Sequence, residues 1–360
     1  MLRVACFVTP HGYGHAARAS AIMAALHEQL PGAAFDIYTH VPRAFFEQSL
    51  DGPFDYHPLL SDIGLVQHDA LHEDVPETIR RLDALLPFDP EHIQRVATRL
   101  RERETALVIC DIAPMGILIA GEAGLPSVLV ENFTWDWIYE AYSESDPLIV
   151  PHAAYLAACF SRADHHIQTN PVCNPANVDL VTPPVARKSR TASGHVRKQL
   201  GIVPGQRMVL VSMGGVPEQH DFLDTLHEET SVDFVLPTGV AEMSRNGNVI
   251  ELPHSSEFYH PDLVGAADAV IGKIGYSTIS EVFHAGVPFG YIGRPRFREA
   301  PPLADFVSRQ IPSVPISPDQ VRSGAWVSER LPLLLGLQKQ EPPSPNGADR
   351  IAAFIAECIL

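Results

Sequence analysis

The first half of the chain alternates short apolar runs with longer segments in which apolar residues recur at helical spacing. The longer segments predict helices over residues 15–30, 77–104 (broken at the prolines of 87–90) and 112–124. Strands that alternate with helices favour a mostly parallel sheet. The apolar runs predict strands at residues 4–9, 35–39, 106–110, 127–131 and 163–169.

The alternation lapses between about residues 171 and 193, where proline, asparagine, serine and basic residues replace the apolar ones. We interpret this stretch as a linker, because a second series of strands and helices follows it. Two repeats of one α/β pattern predict two doubly wound domains, which bind ligands at the carboxyl ends of their strands. The second series predicts strands at residues 208–212, 232–236, 248–252, 269–272 and 288–292, and helices at 218–229, 261–266, 277–285, 303–310 and 348–359.

Composition narrows the class of partner. The 360 residues are 46% hydrophobic, which is enough for two packed domains. The 43 acidic and 26 basic side chains give a formal charge of −17, which repels nucleic acid and anionic lipid. Charged residues and prolines interrupt the apolar stretch at 107–130, and the apolar run at 4–8 is too short for a signal-peptide core. We expect a cytoplasmic protein with no transmembrane segment and no nucleic-acid partner.

Disulfide and metal chemistry are not expected. The five cysteines are scattered without a C-x-x-C pair, as is typical of reduced thiols. The 17 histidines include no H-E-x-x-H motif, and His165-His166 has no carboxylate or thiolate at ligand spacing in the sequence. We therefore expect no metal site and no cofactor.

The turn after the first predicted strand is the first candidate for chemistry. Its residues are His11, Gly12, Tyr13, Gly14 and His15. Residues 12–17 formally match the G-x-G-x-x-A dinucleotide fingerprint. A nicotinamide site would also need an acid at the end of the second strand, where the chain has Thr39-His40, and this disfavours a dehydrogenase. The alternative that the glycines only close a turn stays open, but the two flanking histidines favour a chemical role because imidazole can take a proton near neutral pH.

The turn resembles that of GT-B glycosyltransferases, in which a Gly-His pair after the first strand often supplies the base that deprotonates the acceptor. The resemblance implies that Gly14-His15 is this pair, and that Asp111, after the strand at 106–110, is the acid that orients the histidine. The chemistry agrees, since a carboxylate on one imidazole nitrogen fixes the tautomer and stabilises the cation. The alternative for Asp111 is a cap for the helix near Pro114.

A more specific resemblance is to the glycosyltransferase-like N-terminal half of arabinokinase-type sugar kinases. It rests on three motifs in the same order, HGYGHAxR at 11–18, NFTWDxIY at 132–139 and GKIGYxTxSE at 272–281. The similarity covers about the first 310 residues and implies the same fold in both halves. The sequence has no glycine-serine phosphate loop of a kinase half, so kinase activity is not expected.

The turn after the predicted strand 269–272 is the candidate donor site. Backbone N–H groups, hydroxyls and a lysine charge converge there, which suits a diphosphate. The resemblance to GT-B enzymes implies that a nucleotide sugar binds here and that Glu281 hydrogen-bonds its ribose. The alternatives are that Ser277 only caps the helix and that Glu281 faces solvent. The residues of the turn are Lys273, Gly275, Ser277 and Thr278.

Two further loops are assigned to the donor by the same resemblance. Gly214-Gly215, after the strand at 208–212, corresponds to a second glycine turn near the donor phosphates. Arg294 and Glu299 lie in an arginine-rich loop that corresponds to the one touching the donor sugar, where arginines can clamp phosphate or sugar acids. The alternative for this loop is an exposed basic surface.

The acceptor is expected beside the first glycine turn. The aromatic stretch at 133–142 follows a strand end, where it could stack on a sugar or another acceptor. Core packing is the alternative for most of its rings, because aromatics at i, i+2 and i+4 do not share one helix face. The residues expected to line this cleft are His11, Gly12, Gly14, Asn132 and Trp135.

We therefore predict an α/β protein of GT-B fold, with two doubly wound Rossmann-like domains facing each other across a cleft. The domains are an N-terminal acceptor-side domain at 1–182, a nucleotide-sugar donor domain at 195–345, and a C-terminal helix at 346–360 that packs back on the N-terminal domain. The predicted function is inverting transfer of a sugar from a nucleotide-diphosphate donor to a small-molecule or lipid-linked acceptor, with His15 as base. The sequence has no Asp-x-Asp motif, so we expect a metal-independent reaction.

Two other functions stay open. One is a nucleotide-sugar epimerase or hydrolase of GT-B fold, and the other is a non-catalytic sugar-nucleotide-binding module. The acceptor, the nucleotide base, the donor sugar and the oligomeric state do not follow from the sequence.

Overall fold

The computed structural model describes residues 2–68, 72–213, 223–253, 256–294 and 297–358. These residues form two compact units. Unit 1 contains the chain up to Ala186, the short segment Phe297–Glu299 and the chain from Pro345 onward, and unit 2 contains the rest, from Arg187 to Ser344. Each unit has its own hydrophobic core.

Unit 1 is built on a parallel sheet, whose described strands are β1 (Arg3–Val8), β2 (Ala34–Thr39), β3 (Phe54–Pro58), β4 (Thr105–Asp111), β5 (Ser127–Glu131), β6 (His165–Thr169) and β7 (Leu180–Thr182). Their order is β3-β2-β1-β4-β5-β6-β7, and all neighbouring pairs are parallel. The chain thus moves from β1 to one side of the sheet and returns to the other side at β4. A crevice for a ligand opens where the order reverses, at the carboxyl ends of β1 and β4.

The connections of unit 1 are mainly helical. The first helix carries buried residues all round, because it shares a core with the sheet and with the C-terminal helix, through residues such as Ile22, Leu26, Ile351 and Ile355. The helices are α1 (Tyr13–Gln29), α2 (Arg43–Ser49), α3 (Val75–Leu85), α4 (Pro90–Glu102), α5 (Pro114–Ala123), α6 (Trp135–Glu140), α7 (Val150–Phe160) and the C-terminal helix (Gly347–Cys358), with a 3-10 turn at Pro147–Ile149.

Unit 2 repeats this topology. Its described strands are β8 (Arg207–Ser212), β9 (Val232–Pro237), β10 (Ser244–Asn246), β11 (Val249–Leu252), β12 (Ala269–Lys273), β13 (Phe289–Ile292) and β14 (Ser313–Ile316). The order is β10-β11-β9-β8-β12-β13-β14, with only β10 antiparallel to its described neighbour. The order reverses between β8 and β12. The helices are α8 (Ser193–Gln199), α9 (Leu223–Leu226), α10 (His260–Ala266), α11 (Tyr276–Ala285), α12 (Ala300–Gln310), α13 (Pro318–Ser323), α14 (Trp326–Glu329) and α15 (Leu331–Leu335).

The predicted class, α/β with doubly wound parallel sheets, is confirmed. The strands that the apolar pattern does not predict are the four sheet edges, β3, β7, β10 and β14. Edge strands are short or interrupted by polar residues and proline. β7 and β10 have 3 residues each, and β14 contains Pro315. The stretch predicted as a linker, 171–193, contains β7 and runs into α8, and the predicted helix at 218–229 lies partly outside the described residues.

Gly272 lets β8 and β12 approach each other. It lies opposite Ser212, and a Cβ at position 272 would be 2.3 Å from the Ser212 carbonyl oxygen. Because that oxygen belongs to the backbone, we expect Gly272→Ala to lower the unfolding free energy by about 2 kcal/mol or more in urea denaturation. Gly194→Ala is the control, since a Cβ there meets nothing within 4 Å. Equal stability of the two variants would contradict the contact.

Candidate functional site

The first candidate site lies at the carboxyl end of β1. Gly12 is the N-cap of α1 and has a φ of 75°, a left-handed conformation that favours glycine. Its N–H donates to the Pro10 carbonyl oxygen at 2.8 Å, which closes a tight turn. The helix therefore begins directly after the strand, and Gly14 and His15 fall in its first turn.

His15 and Asp111 meet at the point where the strand order reverses. Asp111 ends β4 opposite Val8 of β1, and its Oδ1 lies 3.1 Å from His15 Nδ1. The alternative that Asp111 caps α5 is wrong, because the N-cap of that helix is Ala113. An ionised carboxylate only accepts, so it favours the His15 tautomer with its proton on Nδ1. The lone pair is then on Nε2, which can take a proton from a substrate.

Arg18 completes this pair and was not predicted as a site residue. Its Nε and Nη2 donate to Asp111 Oδ2 and Oδ1, both at 2.7 Å, and the side chain is 1% exposed. Burial alone would raise the pKa of Asp111, but the charge and hydrogen bonds of Arg18, together with His15, hold it below its ordinary value. The signal in the sequence was its place three residues after His15, on the same face of α1.

A buried polar chain continues from Arg18 through Asn132 to Glu299. Arg18 Nη1 donates to Asn132 Oδ1 at 2.7 Å, and Asn132 Nδ2 donates to Glu299 Oε1 at 2.9 Å. Asn132 was predicted on the acceptor side and is found here. Glu299 was predicted in the donor domain, yet it belongs to unit 1 with the segment Phe297–Glu299, and its carboxylate accepts from Asn132 there. The structure thus groups Glu299 with His15 and Asp111.

Aromatic rings enclose His15. Phe133 and Trp135 lie with their ring centroids 6.0 and 6.1 Å from that of His15, and His11 lies 4.9 Å from Trp135. Trp135 and Tyr139 are fully buried, and Phe133 is nearly so. These rings are core, as the alternative for this stretch proposed. Trp135 contacts the two histidines as a buried ring and not as an open surface.

Asp62 is a second buried carboxyl near the turn and was not predicted. Thr9 Oγ1 and Ser61 Oγ donate to its two oxygens at 2.5 and 2.8 Å. Burial raises the pKa of Asp62 to about 7, although these hydroxyls and the Gly64 N–H act in the opposite direction. No helix or strand is predicted in the loop that carries it, so only the folded chain places it beside β1.

The raised pKa of Asp62 makes stability depend on pH. Between an unfolded value of about 3.9 and about 7, the folded protein holds the extra proton. Stability therefore falls as pH rises through this window. Asp62→Asn lacks the titration, so we expect its stability relative to wild type to improve by on the order of 1 kcal/mol per pH unit across the window. Urea denaturation between pH 4.5 and 8 measures the unfolding free energies, with exposed Glu144→Gln as the control variant. If the difference between Asp62→Asn and wild type did not change with pH, the raised pKa of Asp62 would be contradicted.

The second candidate site lies at the carboxyl end of β12. Lys273 ends the strand and Gly275 is the N-cap of α11, without a side-chain capping bond. Ser277 and Thr278 lie in the first turn of the helix, next to the N–H groups that a cap would otherwise satisfy. The alternative that Ser277 caps α11 is wrong. Gly214 and Gly215, assigned to the same site, lie outside the described residues.

Glu281 is buried within unit 2, so the alternative that it faces solvent is wrong. Its Oε1 accepts from Arg187 Nε and Nη2 at 3.1 and 2.9 Å, and its Oε2 lies 2.6 Å from His260 Nδ1. His260 Nε2 lies 3.2 Å from Ser212 Oγ. Burial opposes ionisation, but Arg187 and His260 lower the pKa of Glu281 to about 2. Arg187, His260 and Ser212 were not predicted; Arg187 falls in the stretch interpreted as a linker.

The two described arginines of the arginine-rich loop, Arg294 and Arg298, differ in exposure. Arg294 is 6% exposed in unit 2. In unit 1, the Arg298 guanidinium lies 4.2 Å from the centroid of the Trp137 ring and donates to the Trp137 carbonyl oxygen. The alternative of an exposed charge run is therefore wrong for Arg294, whereas the Arg298 side chain is 33% exposed.

Within the described ranges, no group of three or more His, Cys, Asp or Glu side chains is arranged to hold a metal ion. His166 does have a carboxylate partner that sequence spacing did not show, Glu131 at 2.7 Å. Across the described part of the chain, no helix has the length and apolarity needed to cross a bilayer.

Comparison with known proteins supports both resemblances. The chain is 31% identical to an L-arabinokinase of Arabidopsis thaliana over 324 residues, which span 84% of this chain and 29% of that protein. The chain thus covers less than a third of that relative. No family model matches the sequence.

Solved structures share the fold over nearly the whole chain. UGT89C1 of Arabidopsis thaliana, complexed with UDP, has a TM-score of 0.61 at 13% identity and covers 100% of both chains. UGT71G1 of Medicago truncatula, complexed with UDP-glucose, scores 0.60 at 12% identity, over 99% of this chain and 93% of that one. MurG of Acinetobacter baumannii scores 0.56 at 16% identity, over 99% and 100%. At these identities the likeness shows the fold, and the predicted GT-B fold is confirmed.

Proposed function

We propose that this GT-B-fold chain is a glycosyltransferase that moves a sugar from a nucleotide-diphosphate donor to a small-molecule or lipid-linked acceptor, with inversion. The observation that carries the proposal is the His15–Asp111 pair, fixed by Arg18 at the carboxyl end of β1. A nucleotide donor is supported by neighbours solved with UDP and UDP-glucose. Four buried free cysteines fit a reducing compartment, so we place the reaction in the cytoplasm.

In the proposed reaction, His15 Nε2 takes the proton of the acceptor hydroxyl as its oxygen attacks the anomeric carbon. The bond from that carbon to the phosphate oxygen breaks, and its electron pair leaves with the nucleoside diphosphate. Asp111, kept ionised by Arg18, stabilises the imidazolium that forms. A single displacement of this kind inverts the anomeric configuration.

The donor diphosphate is proposed to bind at the turn between β12 and α11. Lys273 supplies a positive charge, and the N–H groups at the start of α11 point toward an anion there. Ser277 and Thr278 add hydroxyl donors. The same groups stabilise the leaving nucleoside diphosphate as charge develops on it. Gly214, Gly215 and Arg294 stay assigned to the donor by the resemblance alone.

Because these groups balance the charge of the diphosphate, the proposed reaction needs no divalent cation. We expect the transfer rate to stay within about twofold when EDTA is added in excess of all metal, which corresponds to less than ~0.5 kcal/mol in barrier. Steady-state rates with EDTA and with added Mg²⁺ measure this. A rate lost in EDTA and restored by Mg²⁺ would refute the metal-independent mechanism.

A non-catalytic sugar-nucleotide-binding module is the second candidate. It is favoured by one observation, the similarity of this chain to only 29% of an L-arabinokinase, a protein whose named activity is that of a kinase. Such a module would bind a nucleotide sugar and leave it intact. An epimerase or hydrolase would instead convert the donor with no acceptor present.

One experiment separates these functions. The full chain is screened by thermal shift against UDP-, GDP-, dTDP- and ADP-glucose, with Lys273→Ala as the site variant and exposed Lys198→Ala as its control. Stabilisation by one donor that is lost only in Lys273→Ala supports the donor site, and no stabilisation by any donor refutes it.

Mass spectrometry then follows the selected donor with and without a mixture of phenolic, sugar and lipid alcohols. Consumption of the donor that depends on the alcohols supports transfer. Consumption without them indicates the hydrolase or epimerase, and an intact donor indicates the binding module.

A further inference from the structure

The two histidines of the glycine turn are held in opposite tautomers. The backbone N–H of Leu65 donates to His11 Nδ1 at 3.3 Å. A backbone N–H can only donate, so Nδ1 must accept, and the neutral His11 ring carries its hydrogen on Nε2. In His15 the Asp111 carboxylate accepts from Nδ1, which leaves the lone pair on Nε2. The turn therefore holds one imidazole whose Nε2 donates and one whose Nε2 accepts.

The loop that carries Asp62 fixes the ring of His11. Gly64 lies against this ring with a φ of 63°, and a Cβ there would be 2.6 Å from His11 Cβ and 2.7 Å from its Nδ1. The Gly64 carbonyl oxygen accepts from the Tyr139 hydroxyl, and Asp62 ties the same loop to Thr9. Glycine thus leaves room for the imidazole beside a firmly held segment. A side chain supported in this way meets a ligand in one orientation.

His11 and His15 lie next to each other against one buried ring. Their centroids are 6.4 Å apart, and the Trp135 ring lies 4.9 Å from His11 and 6.1 Å from His15. His11 is partly exposed, and His15 is 9% exposed. Because a hydrogen bond spans about 3 Å, one small molecule can contact both imidazoles.

A ligand that matches this pair carries two oxygens with different roles. The oxygen at His15 must lose a proton, since Nε2 of that ring accepts. The oxygen at His11 must accept a hydrogen, since Nε2 of that ring donates. Oxygens on adjacent carbons meet both requirements, as in sugars, polyols and catechols.

We propose that His11 Nε2–H hydrogen-bonds the oxygen next to the hydroxyl that His15 deprotonates, so that the site selects acceptors with oxygens on adjacent carbons. This inference rests on the proposed sugar transfer and names the class of its acceptor. His11 determines specificity and is not a second base, because Leu65 occupies its Nδ1 and its Nε2 already carries a hydrogen.

The test measures competition between paired alcohols in one reaction of the full chain with the nucleotide sugar that it binds. The pairs are catechol with phenol, 2-methoxyphenol with 2-ethylphenol, and cis-cyclohexane-1,2-diol with cyclohexanol. The ether oxygen of 2-methoxyphenol can only accept, as His11 requires, and 2-ethylphenol has nearly the same shape without that oxygen. Mass spectrometry gives the ratio of the two glycosides. We expect the first member of each pair to be preferred about tenfold, as one hydrogen bond implies.

Three variants separate this contact from folding. The ratio does not depend on how much of a variant folds, because both alcohols compete for the same enzyme. His11→Phe keeps a ring but has no N–H, and should bring the ratio of 2-methoxyphenol to 2-ethylphenol products close to one. His11→Gln keeps an amide N–H and should retain part of the preference. His27→Phe replaces a histidine of the same helix that contacts the Ala33 carbonyl oxygen, and should retain all of it.

The outcomes distinguish this inference from the function on which it rests. Sugar transfer with equal use of both members of each pair, or with an unchanged ratio in His11→Phe, would overturn the inference alone. Transfer confined to alcohols without a neighbouring oxygen would do the same. Binding of a nucleotide sugar without transfer to any alcohol would refute the proposed transfer and this inference with it.

Discussion

Replacement of Arg18 by methionine is expected to lower the unfolding free energy by about 3–5 kcal/mol, because it leaves the Asp111 carboxylate buried without its guanidinium partner. Both side chains are 1% exposed, and two hydrogen bonds of 2.7 Å join them. Methionine keeps most of the volume, so the loss reports the charge and not a cavity. Urea denaturation of the purified variant measures it.

The matched second variant neutralises the charge that is left behind. Asp111→Asn added to Arg18→Met should recover a large part of the lost stability, since no unpaired anion then remains in the core. Arg80→Met is the control for removal of an arginine from an exposed ion pair with Glu77, and it should leave the unfolding free energy nearly unchanged. An Arg18→Met variant as stable as Arg80→Met would show that Arg18 does not hold Asp111.

Replacement of His15 by glutamine is expected to lower the rate of sugar transfer by about 10²–10⁴-fold while the affinity for the nucleotide donor is unchanged. The reason is that glutamine keeps a polar side chain beside Asp111 but cannot take a proton from the acceptor hydroxyl. Single-turnover rates measure the chemistry, and calorimetry with the selected nucleotide measures the binding. The two readouts differ because the base and the proposed donor turn belong to different units.

His27→Gln is the control for this variant. His27 lies on the same helix, and its ring contacts the Ala33 carbonyl oxygen at 3.2 Å, so it tests for general effects of a substitution in α1. We expect wild-type rates from it. Full transfer activity in His15→Gln would remove His15 as the base and, with it, the observation on which the proposed function depends.

The central strands and the strand-end residues could be predicted from sequence because their signals are local. Apolar runs mark the strands buried on both faces, and the glycine turn places His15 at the end of β1. Asp111 follows the same logic on β4: the doubly wound order places β4 beside β1. Asp111 therefore lies beside His15, although 96 residues separate the two along the chain. The edge strands were not predicted, because half-exposed strands lack a continuous apolar run.

The unpredicted residues owe their roles to tertiary contacts. Asp62 lies in a loop without regular pattern, and only folding brings it to Thr9. Arg187 was in a stretch that reads as a linker by composition, yet it folds onto Glu281. Arg18 is the one of these residues that sequence inspection could have found, because it lies three residues after His15 and therefore on the same face of α1. A helical neighbour of a candidate base is thus a signal that sequence inspection can use.

The return of the chain to unit 1 through the C-terminal helix has a consequence for synthesis. Ala348, Ile351, Ala352 and Ile355 are buried in the same core as β1 and α1. While the ribosome makes the residues between 187 and 344, that core lacks the C-terminal helix. The apolar side chains of α1 that pack against this helix then stay exposed to solvent. Unit 2 can complete its core first, although unit 1 begins the chain. The half that holds His15 is therefore the last to become native and the more exposed to chaperones and proteases on the way.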